Sequence, residues 1–261
     1  MHNTHFKYDT LPTVDVGKAR KRLVVLTGAG ISVESGLPTF REENGLWKQY
    51  DWRKLCTAQA WAESPAKVLD FYNMRRRMLL DVQPNHAHLL LAELEKWYNV
   101  SIITQNVDNL HERAGSTDVL HLHGELTKVT SSLEKDNPAY IQSLPLDMPI
   151  QIGDKAYDGS QLRPYVVWFG EKVLHLNQAI ATIQSADIFV VTGCSLLVDP
   201  AAKLVRYAKP DARKFIINPN VAHNPYDEYM ADEFVHIQQK ATTGIETLID
   251  KLWAGIISNL N

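Results

Sequence analysis

Short apolar runs and longer amphipathic runs alternate along the chain. The apolar runs are rich in β-branched residues, which is typical of strands covered on both faces of a sheet. Six of them predict strands: RLVVLT, VSIIT, DVLHLHG, ADIFVVTG, RKFIINP and EFVHI. Helical patterns lie between them, and one begins at Ser64 and Pro65, a pair typical of a helix start. This alternation predicts an α/β fold with a mainly parallel sheet and helices on both faces.

Two regions depart from the alternation. Residues 33–65 combine Gly, Pro, Trp and charged residues without a clear period, and residues 125–163 are polar and rich in turn residues. We expect both to be insertions that form a smaller lobe over one end of the sheet, with a ligand cleft between the lobes. We expect residues 1–16 to be a poorly ordered leader and residues 17–261 to form one domain.

Composition narrows the function classes only modestly. The 261 residues are 45% hydrophobic and 22% charged with a net charge of −3, the balance of a soluble globular protein without affinity for nucleic acid or an anionic membrane. No apolar run reaches the roughly 18 residues of a membrane span, and the N-terminus lacks a secretory pattern. The two cysteines, Cys56 and Cys194, are far apart. We therefore expect reduced thiols in a cytoplasmic protein and no metal site built from cysteines.

The first strand runs directly into Gly28, Ala29 and Gly30. Such a turn brings backbone N–H groups to the edge of a sheet, a geometry that suits a pyrophosphate. The usual dinucleotide fingerprint, G-x-G-x-x-G, is not met, because the next glycine is Gly36. No acidic residue closes the second strand to hold a ribose. Taken alone, the glycines favour a nucleotide site over a plain turn.

Polar residues also follow the other predicted strands at this edge. Gln105, Asn106 and Asp108 follow the second strand and are expected to line a ligand crevice, the alternative being that Asn106 and Asp108 cap a loop and a helix. His121 and His123 alternate with leucines, so both point to the same face of their strand. His123 lies at the strand's exit and is the candidate catalyst, whereas His121 lies deeper and is expected to be structural. A metal site is disfavoured because no third ligand has a suitable spacing.

These motifs resemble those of the sirtuins, the NAD-dependent protein deacylases. Five stretches follow the order seen in that family: GAGISVESGLPTFR, TQNVDNLHERAG, HLHGEL, RPYVVWFGE and GCSLLVDPAA. The resemblance extends from about Leu23 to Ala241 and implies a Rossmann-like sheet with NAD as cofactor. It also implies removal of acyl groups (acetyl, and succinyl or malonyl) from lysines of a protein or peptide, giving nicotinamide and O-acyl-ADP-ribose.

The resemblance also assigns roles to individual positions. It implies that His123 is the base that removes a ribose hydroxyl proton, and that Asn106 and Asp108 take part from the nicotinamide side. The implied NAD-binding positions are Gly28, Ala29, Gly30, Phe40, Arg41, Gln105, Asn106, Asp108, Gly193, Cys194, Ser195, Asn218 and Ala241. The implied peptide-binding positions, at two edges between which a substrate adds as a strand, are Val166, Phe169, Gly170, Glu171, Leu196, Leu197 and Val198.

Tyr72 and Arg75 bear on the identity of the acyl group. They are three residues apart in a predicted helix, so both project to one face, where a phenol and a guanidinium suit a carboxylate-tipped acyl group. The same Tyr-x-x-Arg pair marks sirtuins that resemble desuccinylases. The alternative is an ordinary solvated basic helix face, since Arg76 and Arg77 come next.

The chain departs from the family in its small lobe. Family members usually carry four zinc-binding cysteines there, but residues 125–163 contain none, and Ser131 and Ser132 stand about where the first pair would begin. We therefore expect no zinc. These departures leave an NAD glycohydrolase or ADP-ribosyltransferase on the same scaffold as an alternative, and a non-enzymatic NAD sensor as a third; the presence of His123 argues against the first. The oligomeric state is left open.

Overall fold

The computed structural model describes residues 20–40, 45–197, 199–220 and 233–257. Its strands are β1 Arg22–Thr27, β2 Asn99–Thr104, β3 Val119–His121, β4 Gly124–Ser131, β5 Gln142–Ser143, β6 Leu162–Val166, β7 Ile188–Thr192, β8 Arg213–Ile217 and β9 Val235–Ile237. The main sheet has the order β3-β2-β1-β7-β8-β9, and all its neighbours pair in parallel. All six predicted strands are therefore present and the α/β class is confirmed, but the third strand ends at His121, so His123 lies in the bend between β3 and β4 rather than on the strand.

Helices connect the strands and cover the sheet. The α-helices are α1 Leu46–Gln49, α2 Ala58–Glu63, α3 Pro65–Asp81, α4 His86–Glu93, α5 Leu110–Ala114, α6 Leu176–Gln184 and α7 Ala241–Ile257. Short 3-10 helices span Ala29–Ser35, Trp52–Lys54, Leu94–Lys96, Pro138–Tyr140 and Ala201–Tyr207. None of the helices in the described ranges is long and apolar enough to cross a membrane.

Both faces of the main sheet are buried, as the unbroken apolar strands predict. Side chains alternate between the faces along β1. Leu23 and Val25 pack with α4 and α7, whereas Val24 and Leu26 pack with α6 and the 3-10 helix Ala201–Tyr207. The carboxyl ends of the strands are left uncovered by these helices, which positions the loops that follow them around one crevice.

The small lobe is built on an antiparallel sheet in the order β5-β4-β6. Its sheet runs from Gly124 to Val166, slightly beyond the predicted 125–163, because β6 continues to pair with β4 up to Val166. The solvated-face alternative is wrong for Arg76, whose side chain is fully buried. Its guanidinium donates to four carbonyls of the lobe, those of Leu126, Leu144, Pro145 and Met148. These bonds attach α3 to the small lobe.

The expected domain boundaries stay a prediction. Residues 1–16, the expected leader, lie outside the described ranges.

Ser131 organises the tip of the small lobe. Its buried hydroxyl donates to Asp158 Oδ2 at 2.6 Å and lies 2.9 Å from Ser160 Oγ. It also accepts the backbone N–H groups of Leu133 at 3.0 Å and Glu134 at 2.9 Å. A single hydroxyl thus ties the end of β4 to the turn before β6.

Candidate active site

Glycines allow two loops to approach each other at the mouth of the crevice. The N–H of Gly28 donates to Thr192 O at 3.2 Å, and that of Gly30 donates to Gly193 O at 2.9 Å. A Cβ on Gly30 would lie 2.7 Å from Gly193 Cα, and one on Gly193 would lie 2.3 Å from Ile31 N. The expectation that these N–H groups face a ligand is therefore wrong for Gly28 and Gly30. Both glycines are required for this close packing. At the crevice they expose only backbone, with Ala29 between them, and we call residues 28–30 the glycine wall.

The incomplete fingerprint has a structural explanation. The position of its third glycine is Val33, which is 42% exposed on a 3-10 helix. The third glycine normally allows a helix to pack closely on a strand, and no such contact occurs here. Next to it, the carboxylate of Glu34 accepts the N–H and hydroxyl of Thr242 at 3.2 and 2.9 Å. This contact holds the start of α7 at the crevice, where Ala241 is buried.

Asn106 and Asp108 meet Ser32 in a buried polar cluster. Asn106 Nδ2 donates to Ser32 Oγ at 3.1 Å, and Ser32 Oγ donates to Asp108 Oδ2 at 3.1 Å. Asp108 Oδ1 also accepts the N–H of Leu110 at 3.2 Å, so this residue does cap the start of α5. Burial raises the pKa of Asp108, opposed by the bonds from Leu110 and Ser32. Sequence reasoning missed Ser32, whose only signal was its place just after the glycines.

His123 is oriented by a backbone carbonyl. Its Nδ1 lies 2.9 Å from Gln105 O, and a carbonyl can only accept a hydrogen bond. The proton of the neutral ring is therefore on Nδ1, and Nε2 carries a lone pair. Burial lowers the pKa of His123, with the bond to Gln105 acting in the opposite direction. The ring is thus neutral at physiological pH.

The deeper histidine does more than pack. His121 Nδ1 lies 3.0 Å from Asn106 O, and its Nε2 lies 2.7 Å from Glu112 Oε1. Glu112 is on α5, which follows the loop of Gln105 and Asn106. The two histidines of HLH therefore hold two successive carbonyls of this loop.

Cys194 joins the loop after β2 to the end of β8. Gln105 Nε2 donates to Cys194 Sγ at 3.4 Å, and Asn218 Nδ2 donates to Cys194 O at 3.2 Å. Burial raises the pKa of the thiol to about 12, opposed by the bond from Gln105. The thiol is therefore neutral, and the neighbouring Ser195 is exposed.

Tyr72 and Arg75 lie together on the buried face of α3. The Tyr72 hydroxyl donates to Cys56 Sγ at 3.3 Å, and burial raises the pKa of Tyr72 well above its usual value and that of Cys56 to about 11. Arg75 is only 8% exposed, and its Cζ lies 5.1 Å from the ring centroid of Phe40. No hydrogen bond or ion pair joins Arg75 to another described residue, so its guanidinium is a buried cation without a direct partner. The solvated-face alternative is wrong for Arg75 as well.

The predicted peptide edges differ in what they expose. Val166 is buried, Phe169 is half-buried, and Gly170 has a φ of +89°. Leu197 is 50% exposed on the other side. Arg41 and Val198, which the resemblance also assigns, lie outside the described residues.

Glu171 turns inward rather than towards the crevice. Its carboxylate receives Arg163 Nη1 at 2.7 Å and Nη2 at 3.2 Å, and it accepts the N–H of Trp168 at 2.8 Å. The assignment of Glu171 to a peptide-binding edge, which concerns its main chain, stays a prediction. The bidentate pair instead shapes the loop that presents Phe169 and Gly170.

A parallel sheet with helices on both faces, a small antiparallel lobe and a crevice at the strand ends define a Rossmann-like α/β protein. The Sir2 family model matches residues 28–200, and the chain belongs to the Sir2 family. An NAD-dependent protein deacylase of Bacteroides thetaiotaomicron is 50% identical over 229 residues, which cover 87% of this chain and 96% of that protein.

Solved structures agree in fold. A Sir2 homologue in complex with ADP-ribose has a TM-score of 0.78 at 38% identity, covering 91% of this chain and 94% of the other. A Sir2 in complex with a p53 peptide and NAD+ has a TM-score of 0.69 at 28% identity, covering 91% and 95%.

Proposed function

We propose that this protein removes acyl groups from lysine side chains of a protein or peptide in an NAD-dependent reaction, giving nicotinamide and O-acyl-ADP-ribose. The observation that carries the proposal is His123, a neutral imidazole whose Nδ1–H is held by Gln105 O at 2.9 Å and whose Nε2 has a lone pair. The family membership and the deacylase from Bacteroides thetaiotaomicron support it.

Two features of the residues at the crevice support NAD as the cofactor. The glycine wall allows a diphosphate to approach the backbone closely, and the Asn106–Ser32–Asp108 cluster offers polar groups at the nicotinamide end. When bound, NAD supplies the ADP-ribosyl group that accepts the acyl group. The residues that would hold it are Gly28, Ala29, Gly30, Phe40, Arg41, Gln105, Asn106, Asp108, Gly193, Cys194, Ser195, Asn218 and Ala241.

His123 would act as general base at Nε2, where it would accept the proton of a ribose hydroxyl. Gln105 O would keep the ring oriented and would stabilise the imidazolium that forms, because it accepts from Nδ1–H. A pKa lowered by burial keeps the base unprotonated at neutral pH. Asn106 and Asp108 would assist by fixing polar groups next to the reacting ribose.

We propose that a carboxylate-tipped acyl group, succinyl or malonyl, is bound beside Tyr72 and Arg75 on α3, in what we call the proposed acyl pocket. A buried guanidinium without a partner is unfavourable unless an anion joins it, and Arg75 has this character. Tyr72 is adjacent, and its hydroxyl would turn from Cys56 Sγ to serve as a second donor. Acetyl-lysine is compatible with the same pocket but leaves Arg75 unpaired.

The peptide would add as a strand between the loop of Phe169 and Gly170 and the loop of Leu197. Main-chain hydrogen bonds then provide affinity that tolerates many sequences. Glu171 would act indirectly, through its pair with Arg163.

We also propose that the small lobe folds without zinc. Support comes from the Ser131 hydroxyl, which makes contacts to Asp158, Leu133 and Glu134 that tie its two segments together. Among the described residues, no group of three or more His, Cys, Asp or Glu side chains is placed to hold a metal ion. Elemental analysis of the purified protein tests this proposal, and one zinc per chain would contradict it.

Mass spectrometry of acetyl-, succinyl- and malonyl-lysine peptides, with and without NAD, tests the reaction. We expect loss of the acyl group only with NAD, together with equal amounts of nicotinamide and O-acyl-ADP-ribose. Nicotinamide release without deacylation would favour an NAD glycohydrolase or ADP-ribosyltransferase instead. NAD binding without turnover would favour a sensor.

A further inference from the structure

His121 connects the crevice to a carboxylate on the surface. The ring is buried, with Nδ1 3.0 Å from Asn106 O and Nε2 2.7 Å from Glu112 Oε1. The Glu112 side chain is 38% exposed. Because α5 follows the Gln105–Asp108 loop directly, Glu112 and His121 together brace both ends of this loop against β3.

The two partners of His121 determine how many protons it carries. A peptide carbonyl only accepts, and an ionised carboxylate only accepts, so each ring nitrogen needs a proton to form its bond. His123 differs, because only its Nδ1 faces an acceptor. We propose that His121 is an imidazolium that acts as a positioning residue, holding the Asn106 carbonyl and thereby the Asn106–Asp108 pocket. The role in turnover rests on the proposed deacylase function; the charge of His121 does not.

The charged groups around His121 favour the imidazolium on balance. Burial acts to lower its pKa, but the bond and charge of Glu112, the charge of Glu125 on β4 and the Asn106 carbonyl raise it above the usual imidazole value. Burial acts to raise the pKa of Glu112, but His121 lowers it on balance. Asp108 benefits from the same charge, which opposes the rise of its pKa. His111 on α5 has a strongly lowered pKa from burial and nearby histidines and stays neutral. Lys128 on β4 forms an ion pair with Glu125 and also lowers the pKa of Glu112.

This protonation state has a defined pH dependence. The folded pKa of His121 is raised, so the stability contributed by its pair with Glu112 is fully present below the unfolded value of about 6.5. It is lost as the pH rises through the folded pKa. Above that point one of the two hydrogen bonds must break, and a neutral ring that keeps its proton on Nε2 for Glu112 no longer holds the Asn106 carbonyl.

Nitrogen NMR of protein labelled in its histidine rings reads the proton count directly. Signals are assigned with His121→Gln and His123→Gln variants. At neutral pH we expect His121 to carry protons on both nitrogens and His123 on Nδ1 alone. A neutral His121 ring at neutral pH would overturn the proposal. Because this measurement needs no NAD and no substrate, its result stands even if the proposed deacylation fails.

Glu112→Gln tests the positioning role. The chain offers a matched control, Glu246→Gln, since Glu246 Oε1 lies 2.9 Å from His86 Nε2 in a surface His–Glu pair. We expect the alkaline fall of kcat/KM for NAD to move to lower pH in Glu112→Gln only. At alkaline pH, kcat/KM for NAD should be about tenfold lower in Glu112→Gln than in the wild-type protein, the effect of one charged hydrogen bond. The value of kcat at saturating NAD should change little.

The result that would overturn the positioning role is a pH profile in Glu112→Gln that coincides with that of Glu246→Gln. If the protein binds NAD without turnover, calorimetric NAD affinity at neutral and alkaline pH replaces the kinetic profile. Absence of NAD binding in the wild-type protein would instead contradict the proposed function.

Discussion

Replacing Arg75 by Met should change the stability of the protein and its turnover of carboxylate-tipped substrates in opposite directions. Arg75 is a buried cation that touches the Phe40 ring and has no direct partner in the described residues. Methionine fills a similar volume without charge. We expect this substitution to make the protein more stable while it weakens turnover of carboxylate-tipped substrates, a combination that an ordinary structural arginine would not produce.

The size of both effects follows from the surroundings of Arg75. Burying a charge costs several kcal/mol, whereas a desolvated cation–π contact returns about 2 kcal/mol, and Asp108 adds some attraction. The net gain in unfolding free energy should be about 1 kcal/mol or more. Loss of a charged hydrogen bond to the acyl carboxylate costs about 1.5–3 kcal/mol, which corresponds to an about 10- to 150-fold fall in kcat/KM.

The assay compares succinyl- and acetyl-lysine forms of one peptide, next to a thermal melt of each variant. Arg77→Met is the control, because Arg77 is exposed on the same helix and lies outside the pocket. Only Arg75→Met should lose desuccinylation selectively. Equal losses on both peptides, or a lower melting temperature for Arg75→Met than for Arg77→Met, would refute the reasoning.

Three further substitutions follow from the described contacts. His123→Ala should reduce acyl transfer by at least about 100-fold, the usual contribution of a general base, while calorimetry shows NAD affinity retained; an active variant would exclude His123 as base. Gly30→Ala should lower the unfolding free energy by about 1–3 kcal/mol, because its Cβ would lie 2.7 Å from Gly193 Cα; an unchanged denaturation midpoint would contradict this. Ser131→Ala should speed hydrogen exchange at Leu133 and Glu134, whose N–H groups it would leave unpaired, with a local cost of about 1–3 kcal/mol; unchanged protection there would show that the hydroxyl does not organise the lobe.

The main sheet is predictable from the sequence because its strands are apolar on both faces. Runs such as the one from Leu23 to Leu26 have no other stable placement than between two layers of helices. Polar residues at strand ends are equally informative, since parallel strands bring their carboxyl ends to one edge. This rule alone places Gln105, Asn106 and Asp108 at the crevice.

Contacts between residues far apart in sequence are not predictable in this way. The bond from Thr242 to Glu34 joins positions 208 residues apart, and nothing local marks it. The same holds for the N–H groups of Gly28 and Gly30, which the sequence leaves free for a phosphate but which donate to carbonyls of another loop in the fold. The pair of His121 with Glu112 depends on how α5 packs against β3, which periodicity does not specify.

Cys56 links the proposed selectivity for the acyl group to the proposed selectivity for the peptide sequence, two properties that are usually treated as independent. Its sulfur accepts the Tyr72 hydroxyl at the proposed acyl pocket, and its carbonyl accepts the N–H of Phe169 at 2.9 Å, on the proposed peptide edge. A change at position 56 that reshapes the proposed acyl pocket should also shift the proposed peptide edge at Phe169. Redesign for a new acyl group will therefore alter which protein sequences are accepted, and the two adjustments should not be additive.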